Sequence, residues 1–151
     1  MRIPEEPYLQ FCRSMPLACV DLVVVDRGLR VLLLLRRNHP ACGEWWFPGG
    51  RVLYLETRKQ AALRKLREEC GIHAISADEI GTYDVMLEDP EKGFTSHAVT
   101  TLFVIRTDVS ADSTLDAQGA ACAWRTPERW REEPLHDFVL AGLSLLEASL
   151  G

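Results

Sequence analysis

The sequence predicts a single α/β (α+β) domain in which a mixed β-sheet lies between helices. Three observations favour this fold class. Apolar, β-branched segments separated by turn signals occupy residues 16–50, a segment of helix-forming residues follows at 57–70, and an amphipathic helical segment ends the chain. Strands and helices follow one another without a regular βαβ alternation, which favours a mixed sheet. A length of 151 residues suits one domain spanning 1–151.

The first half of the chain is predicted to form a β-hairpin and a third, short strand. The segment before the first turn is apolar and β-branched, with one acidic residue, Asp21, inside it. Asp26-Arg27-Gly28 is a turn signal that joins this segment to the next apolar one. The predicted elements are strands at 16–25 and 29–35, a loop at 36–43, and an aromatic strand at 45–47 that ends at Pro48-Gly49-Gly50.

The second half of the chain is predicted to contain two helices and further strands. The helix at 57–70 stops at Gly71, because a glycine just past the last turn is a common helix stop. Leu63, Leu66 and Cys70 share one helical face, which we expect to pack on the core. The remaining predicted elements are strands at 80–87 and 98–105 joined by a polar loop at 88–97, a short strand at 122–124, and an amphipathic helix at 134–150.

The composition argues against several classes of function. A formal net charge of −5 and a pI of about 5.4 disfavour nucleic-acid binding, which needs a basic face. Five cysteines without a C-x-x-C pair disfavour a disulfide scaffold or a zinc cluster, so we expect reduced thiols and a cytoplasmic protein. No signal peptide is visible, and the longest apolar run, 31–35, is far too short to span a membrane. A small phosphorylated ligand stays compatible with this composition, because it requires only a few local arginines and a metal.

The segment from Gly50 to Ile72 has the most informative pattern, GRVLYLETRKQAALRKLREECGI. A pyrophosphate is multiply anionic, and Mg²⁺ neutralises it while binding one or two carboxylates together with the phosphates. The adjacent acids Glu68 and Glu69, near the end of the predicted helix and beside a Gly-Gly loop, are suited to such a site. Arg64 precedes Glu68 by one turn and is expected to orient it through an i, i+4 ion pair.

This spacing resembles the Nudix box, G-x5-E-x7-R-E-U-x-E-E-x-G-U, in which U is a bulky aliphatic residue. Every specified position matches except one, because Lys65 stands where the family has glutamate. A match over 23 residues with fixed spacing is far more specific than a lone glycine-rich loop. The resemblance implies a Nudix-like α/β/α sandwich and a hydrolase that uses Mg²⁺, or Mn²⁺, to cleave a nucleoside diphosphate linked to another group.

A second group of residues precedes the box and overlaps its start. They are Arg13-Ser14, Pro16-Leu17, Asp21, Arg36, Asn38, Pro40-Ala41, Gly43, Trp45 and Pro48-Gly49-Gly50-Arg51-Val52. With the box, they make about half of the chain resemble the GDP-mannose mannosyl hydrolase branch of the Nudix family, which also lacks the glutamate that Lys65 replaces. This resemblance implies a homodimer that hydrolyses a GDP-sugar at the sugar carbon with Mg²⁺, releasing GDP and the sugar.

The same resemblance implies a set of metal ligands. Gly49 is expected to offer its carbonyl oxygen, Glu69 to be the main carboxylate ligand, and Gln118 to be a further ligand. Glu68, which this branch often lacks, adds a second acid and favours a Nudix metal site with two carboxylates.

The resemblance also implies substrate contacts. Asp21, Arg36 and Arg51 are expected to contact the sugar and the diphosphate, since the planar guanidinium bonds phosphate oxygens in pairs. Tyr8 is expected to lie against the base. The residues expected to act in catalysis are Glu68, Arg64 and Arg36.

Two departures from the branch leave the general base open. Gly119 stands where the branch has its histidine base, and Ala98 stands where it has a tyrosine. Glycine cannot take a proton, and loss of a general base typically costs about 10²–10⁴-fold in rate. Lys65 places an ammonium among carboxylates, where it either repels the cation, extends to water or contacts a phosphate. The replacement bases considered are Glu68, His97, Asp116, Glu88 and Asp89.

Three functions therefore stay open. The first is a hydrolase of a nucleotide sugar, based on the resemblance. The second is a pyrophosphohydrolase that attacks phosphorus and releases a nucleoside monophosphate, which the presence of Glu68 favours. The third is a sensor or regulator that binds a nucleotide without turnover, which Lys65 and Gly119 favour. The identity of the products separates the first two functions, and any turnover separates both from the third.

Overall fold

The computed structural model describes residues 3–108 and 121–150. The fold is built around one apolar strand at residues 17–25. Directly after residue 65 the chain forms a π-helical turn (Leu66–Cys70). In chain order the other elements are α1 (Glu5–Ser14), β1 (Leu17–Val25), β2 (Val31–Leu35), β3 (Trp45–Trp46), β4 (Gly49–Arg51), α2 (Arg58–Lys65), β5 (Ser76–Asp89), β6 (Phe94–Arg106), β7 (Cys122–Arg125), α3 (Pro127–Trp130) and α4 (Asp137–Leu150).

The strands form the predicted mixed sheet, which has seven strands. Its main order is β3-β2-β1-β6-β5, while β4 pairs with β1 and β7 pairs with β2. β1 and β6 run parallel over nine residue pairs, from Leu17↔Ala98 to Val25↔Arg106, and the other pairings are antiparallel. The predicted hairpin is present at Val25↔Val31. β1 therefore lies inside the sheet, which accounts for its nearly continuous apolar sequence.

Helices cover both faces of the sheet and give it two hydrophobic cores. Side chains alternate along β1, so Val20, Leu22 and Val24 face one core while Val23 and Val25 face the other. The first core is completed by Ala61, Ala62 and Leu66, and the second by Trp130, Phe138, Val139, Leu143 and Leu146. This arrangement confirms the predicted α/β/α sandwich.

The helix that ends the box follows the predicted limits but not the predicted face. Its N-cap is Thr57, whose hydroxyl accepts the Gln60 backbone N–H, while the Gln60 side chain accepts the Thr57 N–H. Its last turn is a π turn, which ends at Gly71 with φ 65°.

The prediction that Leu63, Leu66 and Cys70 form the buried face is wrong in part. Leu66 is buried, but Leu63 is half-buried and Cys70 lies at the edge of the core, while Ala61 and Ala62 are fully buried. The two alanines let the helix approach the sheet closely, and this contact outweighs the larger area that Leu63 offers.

Two predictions for the chain between α2 and β7 need correction. β5 and β6 are longer than predicted and pair from Ser76↔Arg106 to Asp89↔Phe94, so most of the predicted loop at 88–97 is strand. The residues 88–97 are polar because one face of this hairpin is exposed, which makes the strand resemble a loop.

Three short elements were not predicted: α1, β4 and α3. α1 only half-buries Tyr8, Leu9 and Cys12, and its first turn carries Pro7, a residue that is disfavoured inside helices. β4 contains two glycines in three residues, and glycine is depleted in strands. The predicted strand at 122–124 is confirmed as β7, and the last helix begins after His136, whose Nδ1 accepts the Phe138 backbone N–H at 3.0 Å.

Two further observations concern membrane spans and disulfides. Within the described ranges, no helix combines the length and the apolar character that a membrane span requires. The five cysteines all lie in those ranges, and none of them forms a disulfide.

The packing of α2 leads to a stability prediction. We expect Leu66→Ala to lower the free energy of unfolding by about 2–5 kcal/mol, because Leu66 is 1% exposed and its removal leaves a cavity. Leu63→Ala is the matched control on the same helix and should cost clearly less, since Leu63 is half-buried. Urea unfolding of both variants measures the difference, and equal losses would contradict the observed orientation of the helix.

Candidate functional site

The site begins where β4 lies against β1. Residues Gly49 and Gly50 pair with Asp21 and Val20, and Arg51 pairs with Cys19. A Cβ atom on Gly49 would lie 2.3 Å from the Val20 carbonyl oxygen and 2.8 Å from Asp21 Oδ1, so a side chain does not fit at this position. This close pairing places the glycine strand beside Asp21 and at the edge of the box helix.

Arg64 holds the loop and the helix of the box together. Its Nε lies 2.7 Å from Glu56 Oε2 and its Nη2 3.0 Å from Glu56 Oε1, which is a paired guanidinium–carboxylate contact. Nη2 also donates to the Arg51 carbonyl at 3.0 Å, and Nη1 lies 3.1 Å from Glu68 Oε2, which is the expected i, i+4 ion pair. The hydrogen bonds from Arg64 lower the pKa of Glu56, and Glu56 in turn raises the pKa of Arg64. Arg64 therefore positions Glu68 and the loop rather than extending into open space.

Lys65 turns into the cleft instead of extending to water. Its Nζ lies 2.9 Å from Glu69 Oε1 and 3.8 Å from Glu68 Oε2. The Lys65 side chain is only 18% exposed, and that of Glu69 only 16%. A Cβ on Gly50 would lie 2.7 Å from Lys65 Cε, so the lysine stem rests directly on the Gly50 backbone. Of the three alternatives stated for Lys65, the position in this structure is a contact with the carboxylates rather than extension to water.

Asp21 is a half-buried acid on β1. Its Oδ2 accepts a hydrogen bond from Thr100 Oγ1 at 2.7 Å. Burial raises the pKa of Asp21 to about 7, with Thr100 and the Arg36 guanidinium lowering it and Glu69 raising it further. A carboxyl group with a pKa near neutrality, next to a cavity, is a frequent property of functional sites.

A cavity of about 500 Å³ brings most of the expected residues together, and this size is typical of small-molecule sites. The expected site residues that border it are Tyr8, Asp21, Arg36, Gly49, Arg51 and Glu69. Glu68 and Arg64 border an adjoining cleft that shares Tyr8 and Arg51 with the cavity and is also lined by Lys65. Gln118 lies outside the described residues, together with Asp116 and Gly119.

α1 and the loop at 36–43 also border the cavity. Tyr8, on α1, lies under Arg51, with 5.5 Å from the guanidinium carbon to the ring centroid. Burial raises the pKa of Tyr8. Arg36 Nε donates to the Pro40 carbonyl at 2.7 Å, which fixes the direction of the side chain. α1, the helix that carries Tyr8, was not predicted. The expectation that Tyr8 lies in the site therefore rested only on the resemblance to the mannosyl hydrolase branch.

The side chains considered as replacement bases differ in their exposure and in their contacts. Asp89 is 3% exposed, and its Oδ1 accepts the backbone N–H groups of Glu91 and Lys92, which is a structural role in the turn. His97 borders the cavity, but alternation along β6 directs its side chain to the face opposite Thr100, where Nε2 lies 4.0 Å from Asp84 Oδ1. Glu68 remains beside Glu69, with 47% of its side chain exposed.

The donors at the box suit a divalent cation of the Mg²⁺ class, although sparsely. Glu68 and Glu69 supply carboxylate oxygens, and the neighbouring glycine strand supplies backbone carbonyls. In the parts of the chain that the structure describes, no group of three or more His, Cys, Asp or Glu side chains is placed to hold a metal. Mg²⁺ commonly binds through one or two protein carboxylates and completes its coordination with water and substrate phosphates, so the residues fit such a site.

Comparisons with known proteins agree with this picture. The model of the NUDIX domain matches residues 15–142. The low-salt glycan biosynthesis protein Agl8 of Haloferax volcanii is 36% identical over 109 residues, which cover 71% of this chain and 69% of that protein. The ADP-ribose pyrophosphatase of Methanocaldococcus jannaschii is 29% identical over 90 residues, which cover 60% of this chain and 50% of that protein.

Solved structures agree on the fold. The NUDIX domain of Shewanella oneidensis NrtR, complexed with ADP ribose, superimposes with a TM-score of 0.73 at 23% identity, over 99% of this chain and 100% of that one. The NUDIX match covers well over half of the sequence, and the box lies on the loop, helix and π turn described above. The chain therefore belongs to the Nudix hydrolase family.

Proposed function

We propose that this protein is a Mg²⁺-dependent hydrolase of a nucleotide sugar similar to GDP-mannose, and that it releases GDP and the sugar. The observation that carries the proposal is the cavity of about 500 Å³ bordered by Tyr8, Asp21, Arg36, Arg51 and Glu69. These residues supply an aromatic ring, an acid, two guanidinium groups and a metal-binding carboxylate, which are the groups that such a ligand needs.

Each part of the ligand has a matching part of the cavity. The Tyr8 ring, with Arg51 over one face, offers a flat surface for a base, and Arg36 and Arg51 offer paired N–H donors to phosphate oxygens. Asp21, with a pKa near 7, offers a hydrogen-bonding partner for sugar hydroxyls. A divalent cation, Mg²⁺ or Mn²⁺, would be held by Glu69 with Glu68, the Gly49 carbonyl and Gln118, and it would neutralise the diphosphate.

The similarity to Agl8 is consistent with a nucleotide sugar, because that protein's name places it in glycan biosynthesis and activated sugars are consumed in such pathways. We further propose that the protein is a cytoplasmic homodimer that binds neither nucleic acid nor membranes. The dimer is implied by the resemblance to the mannosyl hydrolase branch, and the location by five cysteines that form no disulfide.

A second candidate reaction is hydrolysis at phosphorus with release of a nucleoside monophosphate. Two observations favour it: Glu68 supplies a second, well-exposed carboxylate beside Glu69, and one relative is named an ADP-ribose pyrophosphatase. A non-catalytic nucleotide-binding domain is the third candidate, favoured by the contact of Lys65 with Glu69.

Product analysis separates these candidates. We expect incubation with Mg²⁺ or Mn²⁺ and a panel that includes GDP-mannose, GDP-glucose and ADP-ribose to yield nucleoside diphosphate and free sugar from a GDP-sugar, resolved by chromatography. Release of a monophosphate would assign the second reaction instead. Nucleotide binding, measured by calorimetry, without any turnover would assign the third.

The role of Glu69 gives a direct mutational prediction. We expect Glu69→Gln to reduce turnover by about 10²-fold or more, because it removes a carboxylate charge that would hold the metal, and the metal is what would neutralise the negative charge developing on the leaving group. Glu128→Gln, on the exposed first turn of α3, is the matched control and should leave turnover unchanged. Unchanged turnover in Glu69→Gln, with far-UV circular dichroism like that of the unmodified protein, would remove the metal assignment.

The pKa of Asp21 gives a prediction of pH dependence. The folded protein holds the Asp21 proton up to about pH 7, whereas the unfolded chain releases it near 3.8. The stabilising contribution is therefore complete below about pH 4 and is lost as the pH rises to about 7. Urea titrations are therefore expected to show the unmodified protein losing unfolding free energy relative to Asp21→Asn between about pH 4 and pH 7, because only the unmodified protein must then bury a carboxylate charge. Parallel curves for the two proteins would contradict the raised pKa.

A further inference from the structure

The proposed function gives no task to Lys65, although its ammonium lies among the carboxylates of the box. Its ammonium lies 2.9 Å from Glu69 Oε1 and 3.8 Å from Glu68 Oε2, the two carboxylates proposed to hold the metal. Both Lys65 and Glu69 are more than four-fifths shielded from solvent. An ion pair at this depth is less screened by water than the usual pair on a helix surface.

The position of the lysine stem shows that the contact is more than a surface pair. Lys65 Cε, Cδ and Nζ would lie 2.7, 3.1 and 3.2 Å from a Cβ on Gly50. The ammonium therefore lies between the glycine strand and the Glu69 carboxylate. Metal ligands are proposed on both sides, namely the Gly49 carbonyl on the strand and the Glu69 carboxylate. The ammonium therefore lies between two proposed metal ligands.

We propose that Lys65 is a built-in cation that competes with the divalent metal for Glu69 and restricts the box to one metal ion. The inference rests on the proposed role of Glu69 as a metal ligand. When the metal binds, Lys65 Nζ must leave Glu69 Oε1. Its flexible four-carbon stem allows the movement, and the adjoining cleft, lined by Arg51, Arg64 and Glu68, gives it space.

The charges at the box support a limit of one ion. The connected side chains are three carboxylates (Glu56, Glu68 and Glu69) and two cations (Arg64 and Lys65), which leaves one negative charge unbalanced. One divalent ion already exceeds that charge. A glutamate at position 65 would instead leave three unbalanced negative charges, enough to attract a second divalent ion.

The test is a metal titration that uses no substrate. Metal-stripped full-length protein is titrated with Mn²⁺, and free Mn²⁺ is followed by its EPR signal, for the unmodified protein, Lys65→Met and Lys65→Glu. Methionine keeps much of the stem without the charge, and glutamate reverses the charge. Lys59→Glu is the matched control, since Lys59 is exposed on the same helix and changes charge equally.

We expect the unmodified protein and Lys59→Glu to bind at most one Mn²⁺ with the same affinity. Lys65→Met should bind one Mn²⁺ at least about tenfold more tightly, which is about 1.4 kcal/mol. Lys65→Glu should bind more tightly still and take up a second ion. Equal affinity and stoichiometry for all four proteins, each with the circular dichroism of the folded protein, would overturn the inference.

Glu69→Gln separates failure of this inference from failure of the proposed function. If the proteins bind Mn²⁺ alike and Glu69→Gln abolishes that binding, Glu69 is a ligand but Lys65 does not compete with the metal. If none of the proteins binds Mn²⁺, or if binding survives Glu69→Gln, both the inference and the proposed metal site are wrong. Tighter binding in the Lys65 variants that disappears when Glu69→Gln is added supports both.

Discussion

The close approach of β4 to β1 is the constraint on which the rest of the site depends. Gly49 leaves no room for a side chain, since a Cβ would lie 2.3 Å from the Val20 carbonyl oxygen. A larger residue would move β4 away from β1, and with it Arg51 and the start of the box. The same contact places Asp21 Oδ1 next to the glycine strand, so one packing requirement brings together the acid on β1, the arginine on β4 and the end of the box helix.

Arg64 connects β4 to the acids of the box, Glu56 and Glu68. It contacts Glu56 in the loop, the Arg51 carbonyl on β4 and Glu68 on the π turn, so three separate segments share one guanidinium group. Planar, paired contacts of this kind fix direction as well as distance. Much of the box is thus structural. Glu56 and Arg64 fix the loop against the helix, and Glu68 and Glu69 lie on the turn at the end of that helix.

The sequence predicted the frame better than the walls of the cavity. The box spacing and the apolar strands depend on local rules, and the mixed sheet, the capped helix with its stop at Gly71 and the loop after β2 were all found. α1 was missed because it is short and carries Pro7 in its first turn, and β4 because glycines disfavour strands. The direction of the Lys65 side chain could not be predicted from the sequence. It depends on the space beside Gly50, which has no side chain and lies 15 positions earlier in the chain.

The pairing of charges in the cavity gives a physical reason why an acidic protein would bind a metal diphosphate as a unit. Each acid has a cation as partner: Glu69 has Lys65, Glu68 has Arg64, and Asp21 has Arg36 nearby. Under the proposed function, a divalent ion alone would have to separate Glu69 from Lys65, and a diphosphate alone would find Lys65 already paired with Glu69. When the two arrive together, the metal takes the carboxylate and the released ammonium can face a phosphate, so every charge keeps a partner. Under the proposed function, such an exchange of partners would favour the metal–diphosphate complex over either component, and it would make metal affinity depend on the bound nucleotide.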